Sequence, residues 1–221
     1  MPQLEGQPLK GRVALITGAS RGIGRGIAEA LAAAGADVVV NYRSHADEAA
    51  QVAANVEAHG GRALVFQADV ADRAAQARMF AAAIEQFGRL DIAVANAAFS
   101  IREPVVEAKW ENVLRTLEVT QFGVFHTCQF AAQQMVKQTP QGTRSAGKII
   151  VISSIHQELG FPNSAAYNMA KAAVNHLVRT MAGELAPYRI NVNVINPGWI
   201  DTPGERVSRR RSTWRVMPPI M

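Results

Sequence analysis

Cysteine is nearly absent from this 221-residue chain: Cys128 is the only one. No intrachain disulfide can form, and an isolated thiol with no activating neighbour in its sequence reads as a small buried hydrophobe. Long apolar runs are missing too. Although 48% of the residues are hydrophobic, none of the runs approaches the ~18 residues of a membrane span. The first residues, MPQLEGQPLKGR, lack the apolar segment and small-residue cleavage site of a secretion signal, so a cytoplasmic location is expected. No set of Cys, His and Asp has metal-ligand spacing, so no metal is expected. A basic stripe is also lacking. Of 23 basic and 18 acidic residues, five arginines (Arg206, Arg209, Arg210, Arg211, Arg215) and one acid, Glu205, follow residue 204, leaving 18 against 17 upstream. The formal charge of +5 therefore resides mostly in the tail, and neither nucleic acid nor membrane is an expected partner. An arginine tail that did bind either would show affinity falling steeply with salt.

What is present is an alternation. Short β-rich runs at 12–17, 37–42, 62–67, 91–95, 148–153 and 190–196 are separated by Ala-rich stretches of helical period near 22–34, 45–59, 72–87, 107–137 and 165–186. Strands rich in Val, Ile and Leu, with few alternating polar residues, are those covered on both faces. The pattern predicts one α/β domain, a Rossmann-type doubly wound parallel sheet with six strands, over residues 1–204, followed by a basic tail at 205–221. Gly35, Gly60 with Gly61, and Gly88 stand where left-handed helix stops are expected.

The first strand runs into Thr17-Gly18-Ala19-Ser20-Arg21-Gly22-Ile23-Gly24 and then an Ala-rich helix. Missing side chains let backbone N–H groups approach phosphate oxygens, and the helix N-terminus adds partial positive charge. A glycine turn alone also serves ordinary tight bends, but strand before and helix after favour a dinucleotide site. The second strand ends Asn41-Tyr42-Arg43-Ser44, with no acid to hold the adenosine ribose hydroxyls or repel a 2′-phosphate. Arg43, Ser44 and Arg21 could bind that phosphate, so NADP(H) is the expected cofactor and NAD(H) the alternative. Arg43 could instead be a solvated strand-end charge. Asp69-Val70 could take a bond from the adenine amino group, or Asp69 could be a helix cap, as Asp72 could.

Tyr167 and Lys171, four apart on an expected helix, face the same way. An ammonium beside a phenol favours phenolate, so Tyr167 could exchange a proton near neutral pH while Ser154 holds a substrate oxygen. The combination predicts a nicotinamide-dependent carbonyl/alcohol oxidoreductase.

These residues resemble the short-chain dehydrogenases/reductases across Lys10 to Pro203: Thr-Gly-x-x-x-Gly-x-Gly, Asn96-Ala97-Ala98, Ser154, Tyr167-x-x-x-Lys171 and Asn196-Pro197-Gly198 occur in family order and spacing. Val40 to Ser44, and Ser-Ser-Ile-His with Pro162, look like glucose 1-dehydrogenases; 3-oxoacyl carrier-protein reductases share most of this pattern. The resemblance implies that Tyr167 is the acid/base, that Lys171 lowers its pKa and binds the nicotinamide ribose, and that Ser154 orients the substrate. It implies that Asn96, Ala97 and Ala98 pass along the cofactor and that Pro197, Gly198, Ile200 and Thr202 bracket the nicotinamide. Substrates would be a sugar such as glucose or a 3-oxoacyl group, and assembly a homodimer or homotetramer. His156 is either a polyol contact or a loop histidine with structural bonds.

Two departures stand out. Thr120 occupies the position where the family carries an Asn that holds a water linking the lysine to solvent, and a threonine has fewer polar groups for that relay. After Pro203 the sequence shows neither helical period nor strand alternation where relatives continue to a lid and a final strand. A truncated end is therefore expected, with that strand missing. The alternative function is a catalytically impaired nucleotide-binding protein of the same fold.

Overall fold

The computed structural model describes residues 6–138 and 145–203; the expected tail at 205–221 lies outside them. Six strands form one parallel sheet: β1 (Val13–Ile16), β2 (Asp37–Tyr42), β3 (Ala63–Gln67), β4 (Ile92–Ala95), β5 (Gly147–Ile152) and β6 (Ile190–Ile195), in the order β3-β2-β1-β4-β5-β6. Among the described residues the α-helices are α1 (Gly22–Ala33), α2 (Ala46–Ala58), α3 (Arg73–Phe87), α4 (Trp110–Leu117), α5 (Gly123–Val136) and α6 (Ala165–Leu185).

Strand periodicity divides the core. Ala14 and Ile16 of β1, with Val38 and Val40 of β2, pack under α1 and α2 against Ala28, Ala32, Val52 and Val56. Val13, Leu15 and Val39 point to the other face, with Met79 of α3, Cys128 of α5 and Val174 and Val178 of α6. Neighbouring residues on one strand thus serve two cores, which is why these strands carry unbroken runs of Val and Ile. Gly35, Gly60 and Gly88 all have positive φ after their helices, as expected; Gly88 closes α3 in the left-handed region. Asp72 caps α3, accepting from Ala75 N at 3.0 Å.

The helix expected over 107–137 is not one regular helix. It begins at Trp110, and its ladder loosens into a π-helical segment over Glu118–Phe122 before tightening again as α5. Thr120 lies inside that segment, fully buried. Its hydroxyl donates to Phe99 O at 2.7 Å and accepts from Phe99 N at 2.9 Å. The wide turn brings the threonine to the chain that leaves β4.

Candidate active site

Every strand's C-terminal end contributes to one side of the sheet, and the order reverses between β1 and β4, where open α/β sheets bind ligands. The turn after β1 is braced from two directions. Thr17 Oγ1 accepts from Asn96 N at 2.9 Å and Ala97 N at 3.1 Å, while Asn96 Nδ2 donates to Thr17 O at 2.9 Å and Gly18 O at 3.2 Å. From β2, the buried Asn41 accepts from Gly18 N at 3.1 Å and donates to Ala68 O at 3.1 Å and Phe66 O at 3.3 Å. Gly18 and Gly22 have φ of +64° and +55°, a region other residues rarely occupy. Gly24 does not line the cleft in front of the turn. A Cβ there would come within 2.3 Å of Gly18 O and 2.5 Å of Asn96 Nδ2, so its role is close packing behind the turn.

In front of the turn lies a cleft of about 320 Å³. Its walls include Gly18, Ser20, Arg21, Gly22, Ile23, Tyr42, Arg43, Ser44, Asp69, Val70, Asn96, Ala97, Ala98 and Thr202, together with Asn41, His45 and Phe99. Arg21 pairs with Glu48 of α2, Nη2 to Oε1 at 3.2 Å and Nε to Oε2 at 3.1 Å. Asp69 accepts from Ala71 N at 3.0 Å and pairs with Arg115 of α4. Burial pushes the Asp69 carboxyl upward, but the Ala71 N–H and the Arg115 guanidinium outweigh it, and the net shift is downward.

A second cleft, about 400 Å³, shares Ile23, Asn96, Ala98, Phe99 and Thr202 with the first. Ser154, Tyr167 and Lys171 line it, with Pro197, Gly198 and Ile200 from the segment after β6. Ser154 follows β5, and its Oγ accepts from His156 N at 3.2 Å, leaving the hydroxyl proton for another acceptor. Tyr167 and Lys171 stand one turn apart on α6, with the Lys171 Nζ 5.3 Å from the Tyr167 ring centre. Lys171 is only 1% exposed, and Nζ donates to Ile152 O at 2.8 Å. Burial pulls its pKa down to about 7. Beneath it, Asn175 Nδ2 donates to Lys171 O at 3.0 Å and Ser153 Oγ at 2.5 Å, tying α6 to the end of β5.

His156 lines the same cleft, and its Nδ1 lies 2.6 Å from Asn168 Oδ1. Asn168 Nδ2 is committed to Phe161 O at 3.1 Å, so the Asn168 oxygen is the acceptor and Nδ1 carries the proton. Aromatic rings continue from there: His156 meets the Tyr167 ring edge-on at 5.1 Å and the Phe161 ring at 4.2 Å, and Phe161 meets Trp199 at 5.4 Å.

Of the site residues expected from sequence, all but Thr120 and Gly24 line one of the two clefts. Thr120 is held by Phe99 rather than by Lys171. Sequence reasoning assigned no role to Asn41, Phe99, Arg102 or Trp199. Phe99 and Trp199 adjoin motif residues, which was a usable signal; Asn41 gave none beyond being a polar residue in a run of valines. Among the described residues no group of three or more His, Cys, Asp and Glu could hold a metal, and no helix is long and apolar enough to cross a membrane.

Residues 12–212 match the short chain dehydrogenase family. An oxidoreductase of Methylorubrum extorquens is 42% identical over 197 residues, covering 89% of this chain and 76% of that protein. Among solved structures, a short-chain dehydrogenase/reductase from Mycobacterium marinum superposes with a TM-score of 0.83 at 38% identity, covering 91% of this chain and 78% of that one. A short chain dehydrogenase from Burkholderia cenocepacia, solved in complex with NADP, gives 0.82 at 35% identity, covering 89% and 77%. The chain belongs to the short-chain dehydrogenase/reductase family and is by that membership an oxidoreductase.

Proposed function

We propose that the protein exchanges hydride between NADP(H) and a carbonyl/alcohol pair, with Tyr167 as the acid/base. The observation that carries this reading is the continuity of the two clefts, one before the glycine turn and one holding Ser154, Tyr167 and Lys171. The residues fit a dinucleotide. No side chain caps α1, so its first N–H groups can meet a pyrophosphate. Arg43 and Ser44 stand at the end of β2, where an acid would discriminate against a 2′-phosphate. The Burkholderia relative binds NADP.

When bound, the nicotinamide supplies or accepts the hydride. Ser154 donates its free proton to the carbonyl oxygen, and Tyr167 delivers or removes the proton that balances the charge there. Lys171 acts on Tyr167 through its charge. At a pKa of about 7, caused by burial, that charge is only partly present at neutral pH. A ribose hydroxyl accepting from Nζ would restore it, making cofactor binding and activation of Tyr167 one event. Pro197, Gly198, Ile200 and Thr202 would border the nicotinamide end, and Asp69 with Val70 the adenine end.

The substrates suggested by resemblance, a sugar such as glucose or a 3-oxoacyl thioester, belong in the assay panel. The test is NADPH titration followed by turnover on such a panel, with Tyr167→Phe as control. The variant should bind NADPH normally and lose about 100- to 10,000-fold in kcat, the usual contribution of a positioned acid. NADPH binding without Tyr167-dependent turnover would select the impaired nucleotide-binding protein, a reading favoured by the Thr120 hydroxyl being given to Phe99.

A homodimer or homotetramer in the cytoplasm completes the proposal. Its support is the apolar surface on α4, α5 and α6, where Trp110, Leu114, Phe125 and Met169 are exposed, an unusual composition for a solvated face. Sedimentation velocity that finds only monomer would remove this part.

A further inference from the structure

We propose that Gln76 is a positioning residue for the adenine end of the cofactor, holding Val70 in the wall of the first cleft from behind. The inference rests on the cofactor reading above.

Val70 lies in the connection from β3 to α3, between Gln67 and Arg73, where no strand or helix ladder fixes the backbone. It nevertheless lines the cleft beside Asp69 and is buried. The two ends of the connection have their own ties. Ala68 N donates to Tyr42 O at 2.9 Å and Asn41 holds Ala68 O, while Asp72 caps α3. The middle is held by Gln76. Its Nε2 donates to Val70 O at 2.6 Å and to Gly123 O at 2.9 Å, and its Oε1 accepts from Thr127 Oγ1 at 2.8 Å. Two carbonyl oxygens on one side and a hydroxyl on the other leave the amide one orientation that pairs both of its N–H groups.

Gln76 is fully buried, and it alone is polar among the buried residues of α3, the others being Ala75, Met79, Phe80 and Ala83. An amide in that setting is costly unless its groups are paired, and once paired it fixes its partners more narrowly than an apolar side chain does. Gly123 completes the clamp. A Cβ there would stand 2.8 Å from Val70 Cγ2 and 3.1 Å from Val70 O, so the start of α5 already presses on Val70 while Gln76 bonds to both residues. An apolar side chain at position 76 would still pack α3 on α5, but it would leave Val70 O and Gly123 O without this donor and the cleft wall free to shift.

Adenosine 2′,5′-bisphosphate carries the adenine end of NADPH without the nicotinamide, so its calorimetric titration reads this wall with no turnover. Wild type, Gln76→Met, Thr127→Val, Thr127→Ser and Gly123→Ala are compared for that ligand and for NADPH, at a temperature where each is folded by circular dichroism. Gln76→Met should bind both about tenfold more weakly, the effect of a lost buried hydrogen bond. Thr127→Ser keeps the hydroxyl that orients the amide and should bind as wild type does, and Thr127→Val should show a smaller loss than Gln76→Met. Gly123→Ala displaces Val70 by pushing rather than by unbonding, and should also weaken both ligands. A glutamine that serves only the core would lower Tm when replaced and leave both affinities at the wild-type value, which overturns the proposal. If Gln76→Met does not fold, the other variants decide: losses in Thr127→Val and Gly123→Ala with Thr127→Ser unaffected uphold it, and wild-type affinities in all three overturn it. Wild type that binds neither ligand sinks the cofactor reading itself, whereas wild-type binding with unchanged affinity in Gln76→Met sinks only the role of Gln76.

Discussion

Thr120 and Phe99 exchange two hydrogen bonds, side chain to backbone in both directions, at 2.7 and 2.9 Å. The pair closes the wall shared by the two clefts, since Phe99 lines both. Thr120→Val keeps the shape and removes both bonds, leaving the half-buried N–H and C=O of Phe99 without that partner. The cost should be about 1–3 kcal/mol, or a fall in Tm of roughly 2–4 °C for each kcal/mol in a chain of this size. Thr120→Asn can reach Phe99 with either end of its amide, so NADPH binding should be unchanged and turnover preserved or raised. A valine variant that melts with wild type would show that the pair does not hold the wall.

Lys171 sets a pH dependence whose sign can be worked out. Its pKa in the folded protein is about 7 against an ordinary 10.5, because burial penalises the ammonium. Between those values the unfolded chain holds more protons, so this group makes stability rise with pH across the window and contributes no slope below it. Cys128 acts in the opposite direction. Burial raises its pKa from 9.0 to about 12, so the folded state retains a proton that the unfolded chain loses, and stability falls above about 9. The lysine contribution is therefore cleanest between pH 7 and 9. Urea midpoints of the cofactor-free protein should climb over that range in wild type relative to Lys171→Met, and thiol reagents should label Cys128 only after unfolding. A Lys171→Met curve parallel to wild type would contradict the assignment.

The strands were legible because one property marks them: a strand covered on both faces must be apolar along its covered stretch, and 13–16 and 38–40 are. The glycine turn and the Tyr167/Lys171 pair were legible because backbone geometry and helical spacing are local. The loosened turn at 118–122 was not. Its cause is Thr120 meeting a residue 21 positions away, while the apolar spacing of 110–136 runs on undisturbed. Asn41 was hidden for the same reason. Its work is to join Gly18 to the end of β3, and that requires β2 to lie between β1 and β3, a fact of strand order rather than of composition. Arg102 carried no motif at all; only the fold brings it to the cleft that holds Ser154.

Gly24 and Gly26, two residues apart on α1, should respond oppositely to alanine. A Cβ on Gly24 would strike Gly18 O and Asn96 Nδ2, whereas one on Gly26 meets nothing within 4 Å. Gly24→Ala must push the turn out of shape, so NADPH affinity should fall by about tenfold or more, together with a lowered Tm. Gly26→Ala should stabilise by about 0.5–1 kcal/mol through the reduced freedom of the unfolded chain, with cofactor affinity unchanged. Equal effects of the two substitutions on NADPH titration would show that the packing behind the turn is not what shapes it.

Arg43 and Arg21 differ in how much of their charge is already engaged. Arg21 is paired with Glu48, while Arg43 stands exposed at the end of β2, its backbone oxygen accepting from Gln67 Nε2 at 2.9 Å. A 2′-phosphate in that corner would gain charge-assisted bonds that NADH cannot make. Arg43→Ala should therefore weaken NADPH by about tenfold and NADH far less, the loss shrinking as salt screens the exposed charge. Glu48→Gln should do the reverse, freeing Arg21 for the phosphate and tightening NADPH selectively. Fluorescence titrations with both cofactors at two ionic strengths check the pair. If wild type binds NADH as tightly as NADPH, or if Arg43→Ala lowers both alike, the arginines are only solvated charges and the selectivity must come from elsewhere in the cleft.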